Sequence, residues 1–230
     1  MSYQQSFTYS PNDFEDVFSG SHYQGLPLEQ VNVDNVTCSH KYFSDPRDIA
    51  LGLLMDGFQA FCQVHGGSAT CWPIIAINFN LPPSEWIHLS NVIPIAVVPG
   101  PKAPKDINSF FCPLINECKM LAKGVYTYDA ACNEGFDLHI YPISIHGDMQ
   151  AIKHCTNLKG SNAFQPCRAC LIQAVQDESK PQSTYYTPLY QPQHTGDKDH
   201  VWDVETLPYH SQSEHDRILW DISQRNTKEA

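Results

Sequence analysis

Residues 48–61 read DIALGLLMDGFQAF, and the fold turns on how they are understood. Seven of them, IALGLLM (49–55), form an apolar run of strand length. The run ends on a lone carboxylate, Asp56, followed by Gly57. An acid there has two readings. Asp before Gly is a common turn former whose side chain bonds its own backbone. A carboxylate at the end of a buried strand is also a natural ligand for a hard cation. The surrounding pattern has to choose between them.

Downstream, CWPIIAINFNLPP (71–83) and WIHLSNVIPIAVVPGP (86–101) repeat the apolar, β-branched character, each closing on proline turn signals. The segment 105–124 then places Ile107, Phe110, Phe111, Leu114, Ile115, Cys118 and Leu121 at helical spacing and stops at Gly124, with Pro113 as a kink. A turn at 133–135 leads into a strand over 136–146, again followed by an acid, Asp148, and an amphipathic helix over 149–158. The order is three strands, a helix, a fourth strand and a helix. This predicts an α/β fold with a ribonuclease-H-like mixed sheet, in which the first and fourth strands are neighbours. Asp56 and Asp148, 92 positions apart, then meet at adjacent strand ends. Carboxylates on neighbouring rigid strands suit Mg2+, which keeps several waters and needs oxygen ligands at ~2.0–2.1 Å. Two such ions about 3.5–4 Å apart can clamp the attacking and leaving oxygens of a phosphoryl transfer.

Composition bounds the rest. With 230 residues and 42% hydrophobic content the chain can bury one good core. No apolar run reaches the roughly 18 residues a membrane span needs, and the first twenty residues lack signal-peptide order, so an intracellular protein is expected. Nine cysteines then read as reduced thiols rather than a disulfide scaffold, and the NVTC sequon at Asn35 as chance. The net charge of −11 argues against a protein that coats DNA through Lys and Arg. Only residues 101–170 are near balance, with seven basic and six acidic side chains. The expected organisation is a flexible arm over 1–40, a core over 41–160, and a loop-rich insertion and tail over 161–230, whose stretch 173–200 is polar and proline-rich. His65 in VHGGSA reads as a turn residue, and His139 and His146 as polar residues on or beside the fourth strand.

Five blocks carry a resemblance: DPRDIALGLLMDGFQAF, WPIIAINFNLPPSEW, VIPIAVVPGPKAPKDINSFFCPLINE, GVYTYDA and GDMQAIKHCTNLKGSNAFQPCRAC. In this order, from about residue 42 to 172, they resemble the transposase of CACTA (En/Spm) DNA transposons, in particular its fungal version. The resemblance implies a DDE/D enzyme that cuts and joins transposon-end DNA with two divalent metals, Mg2+ or Mn2+. Water, and later a 3′-hydroxyl, would be the nucleophile. Asp56 and Asp148 would be its first two catalytic acids and metal ligands. It also implies a cysteine pair after the second acid, matched by Cys167 and Cys170. Two thiolates at this spacing can grip one side of a tetrahedral Zn2+. The remaining ligands of a zinc-stapled insertion could come from His194, His200, His210 or His215, and the stretch LPYHSQSEHDRI, similar to a downstream part of the family, favours His210 and His215. DNA is the implied partner, self-association is compatible with it, and the nucleus is the implied location. Family members are longer and carry a third acid on a later helix. Glu205, Glu214, Asp216 and Asp221 are available here, but none lies in a matching stretch, so the chain resembles a truncated fragment. The alternative is a catalytically inactive or domesticated remnant that acts as a binding protein or has no function.

Overall fold

The computed structural model describes residues 3–61, 69–100, 107–156, 160, 162–176, 184–191, 200–211, 213–214 and 217. The chain divides into two compact units, residues 1–155 and 156–230. The first unit opens with α1 (Tyr3–Ser6), α2 (Ser21–Gly25) and a hairpin of β1 (Gln30–Val33) and β2 (Val36–Lys41). Then come β3 (Ile49–Met55), β4 (Phe58–Phe61), β5 (Ala69–Asn78), β6 (Ile93–Pro99) and α3 (Asn108–Lys123). A second hairpin, β7 (Val125–Asp129) and β8 (Glu134–Leu138), precedes β9 (Ile140–His146) and α4 (Met149–Thr156). The described part of the second unit holds the short antiparallel pair β10 (Tyr190–Gln191) and β11 (His200–Val201).

A mixed sheet organises the first unit. β5 is its hub, with β6 antiparallel along one edge and β3 and β4 sharing the other. β9 lies on the far side of β3 and runs parallel to it. The opening heptapeptide is therefore a central strand. α3 covers one face, where Met55, Ile74, Val98, Ile107, Phe111 and Ala151 form a buried cluster. Phe18, Ala50, Ile77 and Phe79 form another, closed by Tyr3, Phe7 and Tyr23. A strand covered on both faces reads as a continuous apolar run rather than an alternation, which accounts for IALGLLM. Each large side chain buried here contributes about 1.5–3 kcal/mol.

The first acid of the stretch has a structural task. Asp48 is fully buried; its Oδ1 lies 2.9 Å from His139 Nδ1, and its backbone carbonyl accepts from Asn80 Nδ2 at 2.8 Å. Asn80 Oδ1 accepts the Ala50 N–H at 2.8 Å, and the Ile49 N–H donates to the His139 carbonyl at 2.9 Å. This buried polar clamp sits where β3 and β9 begin. Burial pushes the Asp48 carboxyl above the ordinary carboxylate range, against the opposing pull of its hydrogen bonds to His139 and the Asp45 N–H.

Three sequence expectations change in detail. The strand expected over 136–146 is split at His139, because Glu134–Leu138 pairs with β7 instead of joining the sheet. The third strand shortens to Ile93–Pro99, since Pro83–Glu85 forms a 3-10 turn ahead of it. Part of the segment read as a flexible arm packs: Phe18 and Val31 are both 0% exposed. Its Tyr and Phe side chains supply apolar area that a count of Gln, Ser and Asn overlooks. Asn35 serves the β1–β2 turn, where Asp34 and Asn35 take φ of 54° and 63°, the left-handed pair that a two-residue hairpin needs.

Candidate metal centre at the ends of two parallel strands

Parallel pairing sets Leu54 opposite His146. Two residues further along each strand lie Asp56 and Asp148, so the register that builds the sheet also brings the two acids to one end of it. Both are exposed and line a cleft of about 270 Å³, together with Pro73, His146 and Gly147. The approach is close: a Cβ on Gly147 would lie 2.6 Å from the Met55 carbonyl oxygen and 2.9 Å from the Ala151 Cβ. Glycine, which has no side chain, is the residue that fits.

Local structure places Asp56 by interrupting a ladder. Met55 pairs with Ile74 and Phe58 with Cys71, so the count sets Asp56 against Pro73 and Gly57 against Trp72. Proline has no N–H to offer there, and the Trp72 indole packs onto Gly57, where a Cβ would fall 1.9 Å from Nε1. Among the described residues, no side-chain or backbone group is hydrogen-bonded to the Asp56 carboxylate. Asp148 has one local duty: its Oδ1 accepts the Ala151 N–H at 2.6 Å, capping α4. Its other face borders a smaller recess of about 130 Å³ with Gly57, Trp72 and Gln150. His146 shares the main cleft, with Nε2 2.8 Å from the Ser144 hydroxyl.

The donor chemistry of this pair, hard oxygen on rigid strands, fits Mg2+ or Mn2+ in kind. It is incomplete in number: among the described residues, no three His, Cys, Asp or Glu side chains converge as a metal site. Sequence reasoning did not single out Trp72, Pro73, Gly147 or Gln150. The run HGD, with glycine immediately before the acid, was the available signal for Gly147.

In the second unit, Cys167 and Cys170 belong to a loop held against residues 208–210. The Leu171 N–H donates to the Pro208 carbonyl at 2.8 Å, and the His210 N–H to the Ala169 carbonyl at 3.0 Å. The Ala169 N–H points at Cys167 Sγ, 3.3 Å away. Burial opposes ionisation of Cys167, but the N–H groups of Ala169 and Cys170, the Cys170 thiol and Arg168 hold its pKa below the ordinary thiol value. Cys170 is 3% exposed, and burial pushes its thiol up. His210 Nε2 lies 3.3 Å from the Cys167 carbonyl oxygen, engaged with backbone. His215, the other expected zinc ligand, lies outside the described residues, as do His65, Asp216 and Asp221.

The model described as Transposase family tnp2 matches residues 26–186. The chain belongs to this transposase family. No curated protein and no solved structure matches it. The match spans β1 through the CxxC loop, so both acids and both cysteines fall inside the transposase region, while His210 and His215 lie beyond it. Among the described residues of this transposase-family chain, no helix is long and apolar enough to cross a membrane.

Proposed function

We propose that this chain carries part of the catalytic core of a CACTA-type DDE/D transposase, of the fungal version, in which a ribonuclease-H-like sheet presents Asp56 and Asp148 to Mg2+ or Mn2+. The observation that carries the reading is the parallel β3–β9 register, which puts both acids at one end of the sheet and in one cleft. A bound divalent ion there would neutralise phosphate charge and activate a hydroxyl nucleophile. Asp56 and Asp148 would hold it, Gly147 would let the strand ends approach, and Trp72 would fix the bend beside Asp56. The substrate is transposon-end DNA, and the place of action is the nucleus. Cys167 and Cys170 would provide the thiolate side of a Zn2+ staple, with His210 and His215 as its other ligands.

A second reading, a remnant without catalysis, is favoured by one observation: among the described residues, no third metal-binding side chain joins the pair. Two substitutions separate the readings from each other and from mere structural roles. Asn caps a helix as well as Asp does, so Asp148→Asn keeps the cap on α4 while weakening a cation seat. Asp56→Asn removes no hydrogen bond recorded among the described residues. Mn2+ binding followed by electron paramagnetic resonance should be present in the wild type and lost in both variants, with thermal stability unchanged. Nicking of a plasmid bearing transposon ends should follow the same pattern. Mn2+ uptake without nicking would select the remnant, and absence of Mn2+ uptake at millimolar ion would refute the cation site.

A further inference from the structure

The β7–β8 hairpin belongs neither to the central sheet nor to the cleft; among the described residues its two strands pair only with each other. Its register sets Tyr126 opposite Asp137, Thr127 opposite Phe136 and Tyr128 opposite Gly135. Successive side chains alternate faces, so Tyr126, Tyr128 and Asp137 share one face and Thr127 and Phe136 the other.

The second face is anchored. The Arg47 guanidinium carbon lies 3.8 Å from the centre of the Phe136 ring, and its nitrogens reach Glu134 at 2.7 Å, Asp45 at 2.7 Å and Asp129 at 3.5 Å. The first face is uncovered: Tyr126 is 77% exposed and Tyr128 60%. Tyr126 is laid along the ribbon, because a Cβ on Gly135 would fall 2.0 Å from its phenol oxygen. The absence of a side chain at 135 lets the ring lie flat, reaching toward Tyr128. The Tyr128 hydroxyl is itself held by Asn133 Oδ1.

Two exposed rings in a row would suit stacked nucleic-acid bases, but the charge is wrong for them. Among the described residues, Asp45, Asp129 and Glu134 gather around one cation, Arg47, and Asp137 adds a fourth carboxylate on the tyrosine face. Lys123, just before β7, acts on Asp34 on the β1–β2 turn. A phosphate backbone would be repelled. A guanidinium group, by contrast, stacks on aromatic faces and pairs with carboxylates at once. Asp137 is exposed on the tyrosine face, with no hydrogen-bond or ion-pair partner among the described residues.

We propose that the outer face of the β7–β8 hairpin docks an arginine-rich protein segment, whose guanidinium groups lie on Tyr126 and Tyr128 and pair with Asp137. The proposal stands apart from the metal-centre reading and does not need a catalytically active chain. The test is a titration of the isotope-labelled full chain with an octa-arginine peptide, followed by amide chemical shifts. The expected result is shifts concentrated in residues 125–138 and a binding loss of about tenfold in the Tyr126→Ala/Tyr128→Ala double variant. Tyr126→Phe, which keeps the ring, should bind like the wild type, and Asp137→Asn should bind several-fold more weakly. Because both tyrosines are exposed and the Arg47 anchor is untouched, these variants should fold, and their unperturbed amide spectra verify it. Equal affinity in the double variant would overturn the proposal, reducing the peptide's binding to general attraction for a chain of net charge −11. So would an eight-residue oligothymidine that shifts the hairpin amides when the peptide does not, since the surface would then be a nucleic-acid platform.

Discussion

Replacing Gly147 with Ala tests whether close strand approach builds the candidate site. The new Cβ would meet the Met55 carbonyl oxygen at 2.6 Å and the Ala151 Cβ at 2.9 Å. Neither neighbour is the end of a flexible side chain. The ends of β3 and β9 would have to part, or the start of α4 would have to shift. Forcing a methyl into such a site costs about 1–3 kcal/mol, and a weakened ladder hydrogen bond adds about 0.5–1.5 kcal/mol. A loss of about 2–3 kcal/mol corresponds to a fall in Tm of roughly 4–12 °C for a chain of this size. The control is Gly25→Ala in α2, where the added Cβ meets nothing within 4 Å. That change should leave Tm level or raise it slightly, as Ala is favoured over Gly in a helix. Thermal unfolding of both variants by circular dichroism provides the assay, with Mn2+ affinity as a second readout, since moving Asp148 away from Asp56 should also weaken ion binding. A Gly147→Ala protein that melts with the wild type and the control would show that the strand ends are not in close contact, and the argument for a shared cation seat would fall with it.

Two further outcomes follow from the polar clamp and the hairpin anchor. Asp48→Ala should destabilise by about 3–5 kcal/mol, the usual cost of removing one partner from a buried pair, because His139 Nδ1 and the Asp45 N–H are both hydrogen-bonded to the carboxyl of a residue that is 0% exposed; a loss below about 1 kcal/mol in urea unfolding would contradict the clamp. Hydrogen bonding to Arg47 is the main cause that lowers the Asp45 pKa in the folded chain, so this group's stabilisation is present above the unfolded carboxylate value of about 3.9 and is lost as pH falls through the lower folded value. Arg47→Gln should raise the Asp45 titration midpoint seen by carboxyl carbon shifts, and an unmoved midpoint would show that the pair does not form in solution.

Much of the sheet was legible because its strands are short apolar runs punctuated by proline and glycine. Ile49–Met55 was readable to the residue: a strand buried on both faces has no alternation to obscure its ends. α3 was equally plain, its apolar spacing closing at Gly124, whose φ is 101°. The β7–β8 hairpin was not, because VYTYD and EGFDL resemble strands without showing that they pair with each other. The N-terminal segment misled for a different reason: a few aromatics, Phe18 among them, are enough to dock a polar stretch onto a sheet. Of the candidate site, the two acids could be nominated from sequence, but Trp72, Pro73 and Gly147 gain their relevance only from register.

The stretch DIALGLLMD carries an acid at each end, and sequence alone determined that a buried strand lies between them, because apolar length and composition are local properties. It could not assign the two acids their tasks. Asp48 is enclosed by His139 and Asn80, which come from positions 139 and 80, whereas Asp56 opens into a cleft beside Asp148. Burial and partnership depend on which distant segments arrive alongside, and the parallel register of β3 with β9 decides that by seating one acid at the closed end of the strand pair and the other at the open end.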